Sequence, residues 1–451
     1  MALERELKLD ADAAFELPPE LGEPLEARLF TSTYYDTPAR SLLHSGITLR
    51  RRVENGLSRW QLKLPRDDGR EELEAPGGPA GPPDVLRVLL VAHLRHGPLA
   101  PVATLRTRRA GYRVADHGRP LADVTLDAVD VLDGQRQSGA FRELEVELVE
   151  GDDDDLDRLG KLLRRAGARR SDGRPKLMRV LPLEPDADDP LALHAQLREL
   201  ERHDPGVRLG DDPEDLHRFR VATRRTRAIV RAARPVLGER LEPLAAELSW
   251  LAGLLGPVRD FDVLIDRLRA NVADLDADRR AGDELVAILE EQRAHHRDEM
   301  LAGLDSPRYL ALLDRFARDI EGLSVPDDMH DLAAKAFKRL RRHARALGID
   351  PDDESVHDLR KAAKKARYAA ELVRDRKVGR YIAALKELQD VVGDHQDAVV
   401  AEERLRSIAR AKTAVAAGRL IALERERRRQ SRASLRPALD AVLARGEKAF
   451  A

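Results

Sequence analysis

The strongest constraint on the fold is a change in hydrophobic period near residue 190. Before Leu181, apolar and polar residues alternate at period two between Gly, Pro and Asp turns, which is typical of antiparallel strands. From Leu191 onward the apolar period is 3.6, which predicts helices. Between them lies PLEPDADDP, whose three prolines and four acidic residues predict a linker. We therefore expect an α+β chain with a strand-rich domain at residues 1–182, a linker at 183–190 and an all-helical domain at 191–451.

The composition excludes several classes of function. The chain has no Cys, which excludes disulfides, thiol nucleophiles and thiolate metal sites. Its eight Phe, six Tyr and two Trp are too few for a base-stacking surface, which disfavours nucleic acid as a partner. The 79 Lys and Arg nearly balance the 81 Asp and Glu, so only local charge placement can indicate an anionic partner.

Signals for secretion, membrane insertion and two common chemistries are absent from the sequence. The start, MALERELKLD, has no apolar stretch of the secretory type, and the most apolar run, residues 85–94, is about half of a membrane span. Neither a GxxxxGK[ST] loop nor an HExxH helix occurs, so P-loop and zincin chemistry have no support. We expect a soluble, cytoplasmic protein with no membrane partner, and the sequence leaves its oligomeric state open.

The predicted strands carry their charges on one face. Glu4, Glu6 and Lys8 alternate with leucines, and the same alternation occurs in a second acidic strand and in several basic ones. Such faces are either solvated and laced with salt bridges, or they line one cavity of a closed sheet. The cavity explains the whole set, because carboxylates would hold a hard cation, Mg²⁺ or Mn²⁺, while the bases would neutralise a phosphate chain. Beyond the first strand, the set comprises Glu143, Glu145, Glu147, Arg50, Arg52, Lys63, Arg106 and Arg108.

These residues lie in an ordered string of motifs. The string comprises ExExK at residues 4–8, YYDT at 34–37, GITLRRR at 46–52, WQLK ending at Lys63, LRTRR at 105–109, ELEVEL at 143–148, and Lys176. In this order the motifs resemble the CYTH domain, the triphosphate tunnel metalloenzyme family, over residues 1–182. The resemblance implies an eight-stranded antiparallel tunnel with flanking helices, which binds a divalent cation and a linear triphosphate and hydrolyses the terminal phosphoanhydride.

The resemblance also assigns roles to individual residues. It implies a catalytic set of Glu4, Glu6, Lys8, Glu145 and Glu147. Metal binding would fall to Glu4, Glu6, Glu143, Glu145 and Glu147, and the phosphates would be gripped by Lys8, Arg50, Arg52, Lys63, Arg106, Arg108 and Lys176. One departure is Asp123, where the family commonly has a glutamate, so a metal or water contact there could be weaker.

The helical half contains an internal repeat. EDLHRFRVATRRTRAIVR from Glu214 matches ESVHDLRKAAKKARYAAE from Glu354, and LLGPVRDFDVL from Leu254 matches VVGDHQDAVV from Val391. Each copy therefore pairs a His-led basic helix with a Gly-Asp corner. Two related helical bundles are the simplest architecture.

Each His-led helix concentrates its basic residues on one stripe. The stripes comprise His217, Arg220, Arg224, Arg227 and Arg231 in the first copy, and His357, Arg360, Lys361, Lys364, Lys365 and Arg367 in the second. Because like charges at helical spacing repel, they require either acidic partners on neighbouring helices or a bound polyanion. The histidines alone do not predict a zinc site. A further Arg-rich run at residues 425–432 is expected to be a solvated helix face.

The two stripes and the LGxxRDxD corner at residues 255–262 resemble the CHAD domain, the conserved-histidine α-helical domain, over residues 190–451. That resemblance implies two pseudo-symmetric four-helix bundles that bind inorganic polyphosphate. We therefore expect a Mg²⁺- or Mn²⁺-dependent triphosphatase acting on inorganic tripolyphosphate or a related triphosphate, in the cytoplasm or at polyphosphate bodies. A weakly catalytic or non-catalytic polyphosphate-binding adaptor and an adenylate cyclase are the alternatives.

Overall fold

A computed structural model of the chain describes residues 2–66, 69–183, 191–323, 329–348, 351–373 and 375–450. The chain forms two compact units, residues 1–187 and 188–451. The linker expected at residues 183–190 lies, apart from Leu183, outside the described residues. The first unit is built on an antiparallel sheet and the second is helical, as the sequence predicts.

The described part of the first unit contains eleven strands and five helices. The strands are β1 (Ala2–Glu4), β2 (Glu6–Asp10), β3 (Glu23–Pro24), β4 (Arg28–Asp36), β5 (Thr48–Glu54), β6 (Leu57–Arg66), β7 (Gly69–Pro76), β8 (Ala100–Asp116), β9 (Arg119–Asp133), β10 (Arg136–Leu148) and β11 (Arg169–Arg170). The helices are α1 (Ser41–His44), α2 (Asp84–Arg87), α3 (Val91–Leu94), α4 (Asp153–Arg165) and α5 (Lys176–Val180).

The N-terminal segment closes the sheet. The strand order is β1-β7-β6-β5-β4-β8-β9-β10-β2-β11, with β3 on β8. The predicted first strand at residues 3–9 is broken at Arg5, so that β1 pairs with β7 at one edge while β2 pairs with β10 at the other. Because one segment joins both edges, the sheet encloses a tunnel. Eleven strands replace the expected eight because the first strand is split and two-residue pairings are added.

Alternation along the strands separates an apolar outer face from a charged inner one. Leu9, Leu144 and Val146 are fully buried against Leu159 and Leu163 of α4. Their charged neighbours on the same strands point to the opposite face. The helix is amphipathic, with a capping box at Asp152 and Asp155, so its apolar side covers the sheet and its polar side meets solvent. Hydrophobic burial therefore leaves the charges inside the tunnel.

The YYDT motif anchors α1 to the sheet. Asp36, which is 1% exposed, accepts backbone N–H bonds from Thr37 at 2.7 Å and from Leu42 and Leu43 at 3.0 Å each. The last two groups belong to the first turn of a four-residue helix, where no intrahelical acceptor is available. Asp36 therefore stabilises this helix, which is too short to form alone.

We expect Asp36→Ala to destabilise the first unit by about 3 kcal/mol, because three buried N–H groups lose a charged acceptor. Trp60 reports the change, since its ring lies 4.7 Å from that of Tyr35. Urea unfolding of the full chain, followed by fluorescence in a Trp250→Phe background, measures it. Asp133→Ala, at an exposed strand end, is the control. Equal stability of the two variants would contradict this role for Asp36.

The described part of the second unit contains nine helices. They are α6 (Leu193–Leu209), α7 (Pro213–Leu237), α8 (Glu242–Val272), α9 (Arg279–Leu304), α10 (Pro307–Ile320), α11 (Met329–Ala346), α12 (Asp353–Glu371), α13 (Arg376–Ile408) and α14 (Ala414–Ala449). A single hydrophobic cluster unites α11 to α14 in one bundle. In the other half, α7 packs on α6 and α8, and the rings of Phe219 and Tyr309 lie 6.5 Å apart.

The internal repeat corresponds to equivalent helices. The His-led segments form α7 and α12, and the Gly-Asp corners lie inside the long helices α8 and α13. The ends of α8 and α13, together with α9 and α14, share a further hydrophobic cluster that joins the two halves. None of the described helices is both long enough and apolar enough to cross a membrane.

Candidate functional site

The tunnel holds a charged cavity that continues into a wider vestibule. The tunnel cavity has a volume of about 240 Å³ and the vestibule about 740 Å³. Arg28, Arg52, Arg109 and Glu147 line both. Tyr34 and Leu105, which also line the tunnel cavity, belong to a hydrophobic cluster with Leu177 of α5. The shared lining residues make the tunnel cavity continuous with the vestibule.

One wall of the tunnel is built around two ammonium groups. Lys176 Nζ lies 2.6 Å from Glu145, 3.0 Å from Glu143 and 3.0 Å from Asp127. Lys8 Nζ lies 2.8 Å from Glu145 and 3.2 Å from Glu6. These side chains come from β2, β9, β10 and α5, so the wall forms only when β2 pairs with β10 and α5 packs beside them.

Burial and charge pairing act in opposite directions on this wall. Burial lowers the pKa of Lys8 and of Lys176, but the surrounding carboxylates, above all Glu145, outweigh it and raise both values. Burial also raises the pKa of Glu145, yet Lys176, Lys8 and Arg109 hold it well below its usual range. Both lysines therefore remain cations, and Glu145 remains an anion, at neutral pH.

The facing wall carries guanidinium groups. Arg50 donates to Gln61 at 2.7 Å and to the Tyr34 hydroxyl at 3.2 Å. The Arg52 guanidinium lies 3.5 Å from the Phe30 ring centroid and 2.9 Å from Glu54. Burial, followed by repulsion from Arg50, lowers the pKa of Arg52 to about 10. An anion bound between these groups would relieve that repulsion.

The structure brings most predicted tunnel residues into one cavity. Its lining includes Glu6, Lys8, Arg50, Arg52, Lys63, Glu145, Glu147 and Lys176. Glu4 lies on β1 and pairs with Arg70, but its side chain lies outside the described part of the chain. Lys63 is 3.1 Å from Glu72.

The predicted register of Arg106 and Arg108 is wrong. Both are exposed on the outer face of β8, where Arg108 lies 3.5 Å from Asp130. The inner face instead carries Leu105, Thr107 and Arg109. Successive residues of a strand point to opposite faces, so a register shift of one residue exchanges the two faces. LRTRR has basic residues in both registers, at 106 and 108 and at 109, so its sequence alone does not show which of them point inward.

Glu143 also differs from its expected place as a metal ligand. It is fully buried behind the cavity lining and contacts Lys8, Lys176 and Arg179. Arg179, one turn after Lys176 on α5, also lies 2.6 Å from Asp10, and its guanidinium is 4.8 Å from the Phe141 ring centroid. Glu143 and Arg179 together therefore fix the short helix that presents Lys176.

Arg109 and Asp127 are among the lining residues that the sequence prediction missed. Arg109 donates to both oxygens of Asp127 at 2.7 Å each, and it also contacts Glu145. Asp127 is fully buried. The spacing of Asp123 and Asp127, four apart on one strand face, was the available signal. Asp123 itself lies in the vestibule wall, where Arg113 donates to both of its oxygens.

The second unit brings the two basic stripes together. Glu371 of α12 lies 3.4 Å from Arg225 of α7 and 3.6 Å from Arg367. We call the cations along this junction the helical seam. The helical seam comprises Arg220, Arg224, Arg227, Arg360, Lys364 and Arg367.

Positive charge in the helical seam is incompletely compensated. Arg220 lies 3.0 Å from Asp260. Within the described ranges, Arg224, Arg227 and Lys364 make no ion pair, and the Nε atoms of both arginines are buried without a hydrogen bond. Burial, then the charges of Arg360, Arg224, Arg220 and Arg367, lower the pKa of Lys364 to about 8. Cations from both helices therefore converge without a matching number of anions.

The remaining predicted residues surround the helical seam. His357 shares a hydrogen bond of 3.0 Å with Gln396 of the second corner. Burial, then Arg259 of the first corner, lowers the pKa of His217. Lys361 and Lys365 are exposed on the edge of α12, and Arg231 is exposed near the end of α7. The histidines therefore lie against the corners that follow them in the chain, and these three cations lie outside the half-buried seam.

The geometry defines a closed antiparallel tunnel with opposed cationic and acidic walls, followed by a helical repeat unit. The family model described as the CYTH domain matches residues 2–171, and that described as the CHAD domain matches residues 191–406. An uncharacterised protein of Mycobacterium tuberculosis is 31% identical over 421 residues, covering 83% of this chain and 81% of that protein. The chain therefore belongs to the CYTH and CHAD families, with one domain in each half.

Two further proteins are similar to one half each. Human thiamine-triphosphatase is 34% identical over 130 residues, which are 25% of this chain and 55% of that enzyme. The crystal structure of the CHAD domain from the plant Ricinus communis has a TM-score of 0.47 and 29% identity, covering 59% of this chain and 94% of that chain.

Proposed function

We propose that the tunnel hydrolyses the terminal phosphoanhydride of inorganic tripolyphosphate or a related linear triphosphate, with Mg²⁺ or Mn²⁺. The observation that carries this proposal is the cavity with its guanidinium wall facing Glu6, Glu145 and Glu147. Membership in the CYTH family and the similarity to a thiamine-triphosphatase support it. The reaction needs charge neutralisation on the phosphates and an oriented water, and the two walls can supply these separately.

The guanidinium wall is suited to the phosphate chain. Arg50 and Arg52 present planar guanidinium donors to the cavity, and Lys63 adds an ammonium group on the next strand. Lys8 and Lys176 stay protonated and can neutralise charge that develops on the leaving phosphate. Negative phosphate oxygens would thus be surrounded by fixed cations, without reorganisation of the wall.

The carboxylates fit a hard cation only in part. The described side chains contain no cluster of three acidic or imidazole groups placed to hold a metal alone. Glu6, Glu145 and Glu147 line the cavity, and Glu145 contacts the three cations Lys8, Arg109 and Lys176. Mg²⁺ commonly takes one or two carboxylates and completes its shell with phosphate oxygens and water. We propose Glu6 and Glu147, with Glu4, as its ligands; the ion would supply a more acidic bound water.

We further propose that the helical seam binds inorganic polyphosphate. Unpaired, half-buried cations from α7 and α12 meet there, and membership in the CHAD family supports this ligand. A flexible chain of phosphates can follow both helices, because each unit carries charge. The binding would place the tunnel near polyphosphate without requiring it as substrate.

The test is phosphate release from tripolyphosphate by the full chain, with Mg²⁺ and after chelation. Metal-dependent orthophosphate release is expected. If the folded protein binds polyphosphate but releases no phosphate, the triphosphatase hypothesis is wrong and the polyphosphate-binding adaptor takes its place. Pyrophosphate and cyclic AMP formed from ATP would instead identify a cyclase.

The pKa of Lys364 predicts how polyphosphate binding depends on pH. In the free protein this pKa is about 8, and a bound anion would raise it, so that binding takes up a proton. Affinity should fall as pH rises above 8, by up to about tenfold per pH unit. Lys364→Arg, which stays charged, should flatten this dependence. Identical pH profiles for both proteins, measured by titration calorimetry, would contradict the assignment.

A further inference from the structure

Helix α11 carries an exposed basic face that the proposed sites do not use. Phe337, Leu340 and Ala344 bury its apolar side in the bundle of α11 to α14. The opposite side carries five exposed cations within about 15 Å of helix. These five residues, which we call the α11 face, are Lys335, Lys338, Arg339, Arg342 and Arg345.

The α11 face has no internal compensation. In the part of the chain that the structure describes, none of its five cations makes an ion pair or a side-chain hydrogen bond. Asp331 is the one acidic residue on the helix. Like charges at spacings of three and four residues repel, which costs a few tenths of a kcal/mol per pair.

The Arg-rich run of α14 shows the opposite arrangement. Arg425 lies 2.7 Å from Glu402, Arg432 lies 2.6 Å from Asp353, and Arg429 pairs with Glu426. Such a run needs no further ligand, because its charge is balanced within the unit. The cations of the α11 face have no such partners among the described residues.

Exposed cations connect the α11 face to the helical seam. Lys361 and Lys365 are exposed on the edge of α12, each next in sequence to a seam residue. That edge is close to α11, because His343 contributes to the lowered pKa of Asp358, the residue 2.6 Å from Lys361. A polyphosphate chain that extends from the helical seam across this edge would thus contact Lys361 and Lys365 before it reaches the α11 face.

We propose that the α11 face extends the polyphosphate site, so that long chains bind more tightly than short ones. This inference rests on polyphosphate binding at the helical seam. A short polyphosphate chain would contact only the helical seam. A long chain would also contact the α11 face, and this additional contact would release further counterions and strengthen binding. Because the face is exposed, its contribution should be sensitive to salt.

The test compares two triple variants of the full chain with equal loss of charge. One carries Lys338→Gln, Arg339→Gln and Arg342→Gln. The control carries Arg406→Gln, Arg425→Gln and Arg429→Gln, which removes exposed arginines that have acidic partners. We expect the first variant to bind long-chain polyphosphate about tenfold more weakly, with a smaller salt slope, and to bind a short chain unchanged.

The other outcomes separate the two proposals. If both variants bind long chains like the wild type while charge reversal in the helical seam removes binding, the extension is wrong and the seam stands. If seam reversal also leaves binding intact, polyphosphate binding at the seam is wrong. Weaker binding of duplex DNA by the α11 variant, with polyphosphate unchanged, would overturn the extension in favour of a nucleic-acid surface.

Discussion

Replacing Glu6 by Gln is expected to lower metal-dependent phosphate release from tripolyphosphate at least a hundredfold. Glu6 lines the cavity, 3.2 Å from Lys8 Nζ, and is one of the carboxylates that we propose to hold the cation there. Gln keeps the volume but removes the charge that a hard cation requires. Orthophosphate release at saturating Mg²⁺, with metal titrated in parallel, measures the loss.

The controls for Glu6→Gln address folding and specificity. Glu16→Gln changes an exposed carboxylate on the same unit and should leave the rate unchanged. Polyphosphate binding should persist in Glu6→Gln, because the helical seam contains no tunnel residue. Wild-type rates in Glu6→Gln would rule out a metal role for this wall.

Reversing charge at Arg224 and Lys364 together is expected to weaken polyphosphate binding at least a hundredfold. These residues come from different helices, yet each lies close enough to affect the other, since Arg224 lowers the pKa of Lys364. Two glutamates at these positions would place anions among the remaining seam cations, where they would repel the phosphates of the ligand. Fluorescence titration with labelled polyphosphate at fixed ionic strength measures the change.

The matched control for this reversal is Arg234→Glu with Lys386→Glu. It has the same net charge change on exposed positions of α7 and α13. Tripolyphosphate hydrolysis should continue in both double variants. If the control weakens binding as much as the seam variant, the attraction depends on net charge and no defined seam exists.

Periodicity was sufficient to predict a strand-rich domain followed by an all-helical one, because burial selects the same face at every strand and helix, whereas the closed tunnel was implied by the resemblance to the CYTH domain. The period of two placed Lys8, Glu145 and Glu147 on one face, and the structure brings them into one cavity. Periodicity failed where bases occupy both registers, as at Arg106, Arg108 and Arg109. There Leu105 and Thr107, which are both 1% exposed, lie on the inward face together with Arg109.

Other features depend on contacts that are distant in sequence. The break at Arg5 is visible only when both partner strands are known. Glu143 follows the same alternation as Glu145, yet Arg179 and Lys176 of α5 cover it and remove it from the lining. The α11 face lies outside the internal repeat of α7 and α12, so the repeat pattern gives no sign of it.

Closure of the tunnel by its first strands also has a consequence for the order of folding. Glu6 pairs with Glu147, and Glu4 with Arg70, so this segment is synthesised before both of its partner strands and must wait for them to emerge from the ribosome. Contacts so distant in sequence raise contact order and slow folding. The hairpins from β4 to β10 can form first. The segment of β1 and β2 then pairs with β7 and β10 and closes the sheet. A nascent chain would therefore expose two open sheet edges until that docking, which is when it most needs protection from edge-to-edge aggregation.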